Sequence, residues 1–227
     1  MKKIVSVVGA RPNFVKLWPV HNKIKQMSRS HFKHYILHTG QHYDYQMSEV
    51  FFKDFKLPKP DFHLNVGSLT PSLQIAEMIK KLEKTFLDYK FDLVIVYGDT
   101  NSTFAGSFAA KQNKLKVAHI ESGLRSYDQT MPEEINRILT DHISDYHYAP
   151  TKTALKNLQK ENIKNVIYTG DLSVEILEIA KKNINNSNIL TKYGLVPKQY
   201  ILCTLHRVEN TNFVNLNIFI NIFKELN

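Results

Sequence analysis

Seven short apolar runs punctuate the chain: IVSVV (4–8), YILHT (35–39), LVIVY (93–97), VAHI (117–120), YHYA (146–149), VIYT (166–169) and YILCTL (200–205). Most are near-continuous rather than alternating, the pattern of parallel strands covered by helices on both faces. Between them the spacing turns helical. From Leu73, apolar Ala76, Ile79, Leu82 and Phe86 keep one stripe, with Pro71 near its start. Ser48 is placed to cap a turn or two of SEVFFKDF, and Thr151 to cap TKTALKNLQKEN. This rhythm predicts an α/β fold built on a doubly wound, Rossmann-like parallel sheet.

Towards the carboxyl end a long helix is expected from Val174 to about Lys182, and the polar stretch KNINNSN (182–188) marks the weakest boundary. After the run at 200–205, the final helix carries an apolar stripe of Phe213, Leu216, Phe219, Ile220 and Phe223. One strand and one helix cannot bury such a stripe. The expected organisation is a first domain over 1–170, a connecting helix and linker over 171–198, and the start of an incomplete second α/β domain over 199–227.

Composition narrows the function classes. The 227 residues are 43% hydrophobic, enough for a sizeable core, with a formal charge of +9. The lysines are scattered and no nucleic-acid-binding module stands out, so no nucleic-acid partner is expected. A basic protein also suits a small anionic substrate. The lone Cys203 excludes an internal disulfide and a cysteine-based zinc cluster, and within YILCTL it is expected to be buried and inert. No segment approaches roughly eighteen consecutive apolar residues, so no membrane insertion is expected, and the cytoplasm is the expected compartment.

In an open parallel sheet, ligands bind beyond the carboxyl ends of the strands. That rule sorts the polar residues. After the first run comes GARPNFVK (9–16), where Arg11 and Lys16 supply two cations beside a helix start. GQHYDYQMSE follows the second run. After the third comes GDTNSTFAG (98–106), with Asp99 behind Gly98. HIESGLRSYDQTMPEEINR (119–137) follows the next and holds Glu121, Arg125, Glu133, Glu134 and Arg137. His206 and Arg207 follow the last run. Five polar strand ends on one edge suggest a cleft.

A plain helix start explains part of this. Thr130 and Glu133 have capping-box spacing, Pro132 suits a first helical position, and Glu133 and Arg137 stand four apart. It leaves Asp99, Glu121, Arg125 and Glu134 without an account. Carboxylates interleaved with arginines can supply general acids and bases while holding an anion. His142 and His147 have no ligand-like partners in sequence and read as structural. Trp18, Tyr43, Tyr45 and Tyr127 read as packing or lining groups. No metal or redox cofactor is expected, because no cluster has ligand spacing.

VVGARPNFVK, HTGQHYDYQMSEVFF, YGDTNSTFAG, VAHIESGLRS, MPEEINRILTDHISD and TLHRVEN closely resemble, in the same order, motifs of the non-hydrolysing UDP-N-acetylglucosamine 2-epimerases. The resemblance covers nearly the whole chain and implies a glycosyltransferase-B-like, two-domain fold with the second, nucleotide-binding domain truncated here. It implies interconversion of UDP-N-acetylglucosamine and UDP-N-acetylmannosamine for surface polysaccharides, without a cofactor. Asp99, Glu121, Glu133, Arg137 and His206 become the expected catalytic residues. Arg11, Lys16, Gly98, Arg125 and Arg207 become the expected substrate-binding residues, and no metal ligand is expected. The partner would be a UDP-linked N-acetylated amino sugar, and the full-length form a homodimer.

There are departures from the family pattern. Leu73 stands where members activated in trans by substrate have an arginine, and Glu175 where aspartate is usual. GQHYDY and HRVENT are more similar to the branch acting on UDP-2,3-diacetamido-2,3-dideoxy-glucuronic acid. A retaining glycosyltransferase and an inactive nucleotide-sugar-binding fragment are the other readings. With the Phe213–Phe223 stripe uncovered, the chain as given is expected to turn over poorly.

Overall fold

The computed structural model describes residues 1–27, 31–41, 52–53, 55–184, 187–205 and 213–225. The expected cap at Ser48, most of the SEVFFKDF segment, Tyr43, Tyr45, His206 and Arg207 lie outside the described residues. The chain divides into two compact units, Met1–Lys181 and Lys182–Asn227.

The first unit is built on seven parallel strands: β1 (Lys2–Val8), β2 (Phe32–His38), β3 (Phe62–His63), β4 (Leu93–Tyr97), β5 (Lys116–Ile120), β6 (Tyr146–Ala149) and β7 (Val166–Tyr168). Their order across the sheet is β3-β2-β1-β4-β5-β6-β7. Alternation along each strand feeds two cores, since successive side chains point to opposite faces. Val5, Val7, Val94, Val96 and Val117 pack on one side with Met78, Leu82, Phe86, Ala105 and Ala109. Ile4, Val8, Ile95, Tyr97 and Ala118 pack on the other with Phe14 and Leu17.

The helices that cover these faces are α1 (Arg11–Met27), α2 (Pro71–Tyr89), α3 (Asn101–Gln112), α4 (Pro132–Ile143) and α5 (Lys152–Lys160); α6 (Leu172–Ile184) follows β7, with Val174, Leu177 and Ile184 exposed. Thr151 caps α5 as expected, its hydroxyl accepting from the Ala154 amide at 3.0 Å. The buried face of α2 differs from the expected stripe. It runs in four-residue steps through Gln74, Met78, Leu82 and Phe86, leaving Leu73 60% exposed and Ala76 exposed. Gln74 can sit inside because its amide donates to the Gly67 carbonyl and accepts from Asn101. Paired polar groups are admitted to a core; unpaired ones are not.

Two expectations about α4 also change. Met131, not Thr130, occupies the capping position, and the Thr130 hydroxyl and amide both bond the Asp128 carboxylate, so no capping box forms. Arg137 pairs with Glu134, three residues back, rather than with Glu133.

In the second unit, α7 (Ile189–Lys192) and α8 (Phe213–Glu225) are the described elements. Residues 200–205 form no strand. Leu202 is 83% exposed and Cys203 is exposed, contrary to the buried state expected of it. A strand exists only through ladder bonds to a neighbour, and none is present among the described residues. On α8, Leu216, Ile218, Ile220, Ile222 and Phe223 are exposed.

A buried polar chain crosses the first unit. Tyr97 Oη and Ser6 Oγ share a hydrogen bond of 2.7 Å, Ser6 Oγ meets His34 Nε2 at 2.8 Å, and His34 Nδ1 meets His21 Nδ1 at 3.0 Å. Burial, helped by neighbouring His21, pushes His34 down to about 3. Burial and Lys25 lower His21 too, outweighing the opposite pull of Asp61. Below about pH 6.5, the ordinary value of an unfolded histidine, the unfolded chain takes up protons that the folded chain refuses. Stability should therefore fall as pH drops from about 6.5 towards about 3. Denaturant midpoints at about pH 7 and about pH 4.5 should converge in His34→Gln relative to the parent chain. An unchanged gap would contradict this account of the histidines.

Candidate active site

The strand order reverses between β1 and β4, the place where an open parallel sheet leaves a crevice at its carboxyl edge. Asn13 closes the β1 turn. Its Oδ1 accepts from the Gly9 and Ala10 amides at 3.2 and 3.1 Å, while its Nδ2 donates to the Tyr97 carbonyl at 2.9 Å. One buried amide thus ties the start of α1 to the end of β4. That start carries Arg11, which is exposed, and one turn later Lys16.

The β4 exit turns at Gly98, whose φ is +65°, and its amide donates to the Ile120 carbonyl at 2.9 Å. A Cβ here would lie 3.0 Å from Glu121 Oε2 and 3.6 Å from Lys16 Nζ. The positive φ favours glycine here, and a Cβ would press on the tips of the pair. Lys16 and Glu121 form a largely buried ion pair at that spot. Glu121 itself adopts φ +68°, rare for a residue with a side chain, and its amide and that of Ser122 both donate to the Tyr148 carbonyl at 3.1 Å.

Asp99 follows Gly98 and pairs with Arg137. The other side of Arg137 donates to Glu134 at 2.6 Å. Glu134 is fully buried and also accepts from the Ser126 and Tyr127 amides at 2.9–3.1 Å. Burial works to raise Glu134, but those backbone donors and Arg137 outweigh it and hold the carboxyl below its ordinary value. Asn136 completes the join, donating to the Asp99 carbonyl at 3.1 Å. Glu133, one position from Glu134, is exposed and makes no ion pair or hydrogen bond among the described residues.

The structure therefore brings two pairs together on adjoining strand ends, Lys16 with Glu121 and Asp99 with Arg137. Arg125 is elsewhere. Its side chain is 1% exposed, forked onto Glu161 at 2.8 and 2.6 Å and bonded to Asp141 at 2.6 Å. It is a buried clamp between the chain after β5 and helices α4 and α5. His206 and Arg207 lie outside the described residues.

Several groups near the site carried no sequence signal. A small cavity beside Lys16 and Glu121 is also lined by Pro150, Thr169, Gly170 and Asp171, from the turns after β6 and β7. His119 sits below the turns, fully buried, its Nε2 hydrogen-bonded to the Gly98 carbonyl and its Nδ1 to the Asp141 carboxylate, both at 2.7 Å. Burial tends to raise Asp141, but His119 and Arg125 together hold it below the ordinary carboxylate range. His147 is structural as expected, bonded to the Asp141 and Lys164 carbonyls at 2.7 and 3.0 Å. Among the described residues no group of three or more His, Cys, Asp or Glu side chains could hold a metal ion. No helix among them is long and apolar enough to cross a membrane.

The sequence and the fold both have relatives among known proteins. A homologue of UDP-N-acetylglucosamine 2-epimerase from Methanococcus maripaludis is 49% identical over 99% of this chain and 63% of its own length. The UDP-2,3-diacetamido-2,3-dideoxy-D-glucuronate 2-epimerase of Pseudomonas aeruginosa is 40% identical over 92% of this chain and 59% of its own. The crystal structure of the Methanocaldococcus jannaschii UDP-GlcNAc 2-epimerase with UDP-GlcNAc and UDP superposes with a TM-score of 0.87 at 40% identity, covering 98% of this chain and 62% of that one. The chain thus spans about three fifths of the length of these relatives. The sequence model of the UDP-N-acetylglucosamine 2-epimerases matches residues 24–227, and with the agreement in sequence and fold this establishes that the chain belongs to that family.

Proposed function

We propose that the chain epimerises C2 of UDP-N-acetylglucosamine, giving UDP-N-acetylmannosamine by elimination and re-addition of UDP. The observation that carries this reading is the side-by-side placement of the Lys16–Glu121 and Asp99–Arg137 pairs at the carboxyl ends of β1, β4 and β5. The C2 proton of the sugar is not acidic, so its removal must be coupled to departure of UDP from C1. That step needs carboxylates to take and return a proton and cations to stabilise the leaving diphosphate. Asp99, Glu121 and Glu133 are the proposed carboxylates, and Arg137 and His206 complete the catalytic set. Lys16 and Arg11 are the proposed diphosphate cations, with Gly98 and Arg207 lining the substrate. A bound diphosphate would compete with Glu121 for Lys16 and free the carboxylate beside the sugar.

The proposed architecture is the two-domain glycosyltransferase-B type, with 1–170 carrying most catalytic groups and 199–227 belonging to a nucleotide-binding domain. The alternative substrate is UDP-2,3-diacetamido-2,3-dideoxy-glucuronic acid, since the Pseudomonas aeruginosa enzyme named for it, at 40% identity, is about as similar as relatives named for UDP-N-acetylglucosamine at 41%.

Deuterium oxide tests the reaction. Incubated with either UDP-sugar, a version extended to the length of its relatives should place deuterium at C2 in step with epimerisation, as read by NMR, and the 227-residue chain should do so poorly. Transfer of the sugar to an acceptor without C2 exchange would indicate a glycosyltransferase, and binding without turnover an inactive fragment. Asp99→Asn and Glu121→Gln should each lower kcat by about 10²–10⁴-fold, the loss typical of a general acid or base. Parental turnover in Asp99→Asn would refute its role.

A further inference from the structure

His119 belongs to no site described so far, yet it touches the site's foundations. It lies on β5, two residues before Glu121, fully buried. Each of its ring nitrogens faces an acceptor. Nε2 lies 2.7 Å from the carbonyl oxygen of Gly98, and Nδ1 lies 2.7 Å from Asp141 Oδ1. Asp141 Oδ2 then accepts from the Gly123 amide at 3.0 Å and from Arg125 at 2.6 Å. Arg125 in turn is forked onto Glu161. Gly98 immediately precedes Asp99, and Gly123 comes two residues after Glu121. The chain of bonds therefore grips both turns that carry the paired carboxylates, from beneath and out of solvent.

From this geometry we infer that His119, held by Asp141 and Arg125, is a positioning residue that fixes the Gly98 and Gly123 turns and through them the spacing of Asp99 and Glu121. The effect on turnover rests on the epimerase reading above; the effect on the two turns does not. Positioning of this kind matters because a displacement of about 1 Å at reacting groups can cost about 10²-fold in rate. Because its two ring nitrogens bond to groups on two different turns, the ring ties those turns together rather than filling space.

The test is His119→Gln, whose amide can serve only one of the two acceptors, and the isosteric Asp141→Asn, which keeps the shape of the relay. In the 227-residue chain the amides of Gly98, bonded to the Ile120 carbonyl, and of Gly123, bonded to Asp141, report on the two turns directly. Their hydrogen exchange should rise by about tenfold or more in either variant, while amides of the β1–β2 ladder exchange as in the parent. With UDP-N-acetylglucosamine, kcat should fall by about 10–100-fold with KM within about twofold. The double variant should lose no more than the worse single one, as members of one network do. Unchanged exchange at Gly98 and Gly123, or an equal rise throughout the sheet, would overturn the proposal. If a version extended to the length of its relatives puts no deuterium at C2 of either UDP-sugar, the epimerase reading fails, and the exchange result still decides whether His119 holds the turns.

Discussion

Strands buried on both faces leave a chain few places to put a charge. β1, β4 and β5 are covered by α1 on one side and by α2 and α3 on the other, and their side chains fill two apolar cores. A carboxylate within such a strand would lose its hydration without compensation. Polar chemistry is therefore displaced to the strand ends, and the parallel arrangement puts all the carboxyl ends on one edge. The crevice between β1 and β4 follows from the same ordering, because their flanking strands run off in opposite directions. The location of the site is thus a consequence of burial, before any particular residue is considered.

Once there, the charges are organised in sets, each built around one cation. Lys16 neutralises Glu121, Arg137 bridges Asp99 and Glu134, and Arg125 bridges Asp141 and Glu161. Pairing alone rarely repays the cost of burying ions, and additional hydrogen bonds must satisfy the remaining lone pairs. Glu134 and Asp141 meet that condition with backbone amides from Ser126, Tyr127 and Gly123. These inner carboxylates are consumed by structure. Asp99 and Glu121, nearer the surface, each keep a side-chain cation as their one partner among the contacts described, an arrangement that an incoming anion can rearrange. The division between fixed inner pairs and exchangeable outer ones is what a site for a diphosphate sugar requires.

The parallel sheet was legible in the sequence because continuous apolar runs have a direct physical cause. Six of the seven runs are strands, Thr151 caps its helix, and Asp99 and Glu121 lie at strand ends. What was not legible depended on partners distant in the chain. Nothing beside Arg125 in the sequence points to its partner Glu161, thirty-six residues on. Glu133 and Glu134 are equivalent by composition, and only the loop at Ser126 and Tyr127 decides which is drawn inside. The buried face of α2 starts at Gln74 instead of Leu73, because that polar residue found partners that hydropathy cannot register. His119 looked like one more residue of an apolar run, with no local sign of the two acceptors it meets. At 200–205 an apolar run had the composition of a strand without a neighbour among the described residues to pair with.

The central claim is that the carboxyl edge of β1, β4 and β5 receives the UDP moiety through Lys16 and the turns around it. Titrating the isotopically labelled chain with UDP, and following backbone amide shifts, tests this most directly. The account predicts the largest movements at Gly9, Gly98, Glu121 and Thr169 to Asp171, and their loss in Lys16→Met. Movements confined to the amino ends of the strands, or retained at full size in Lys16→Met, would contradict it.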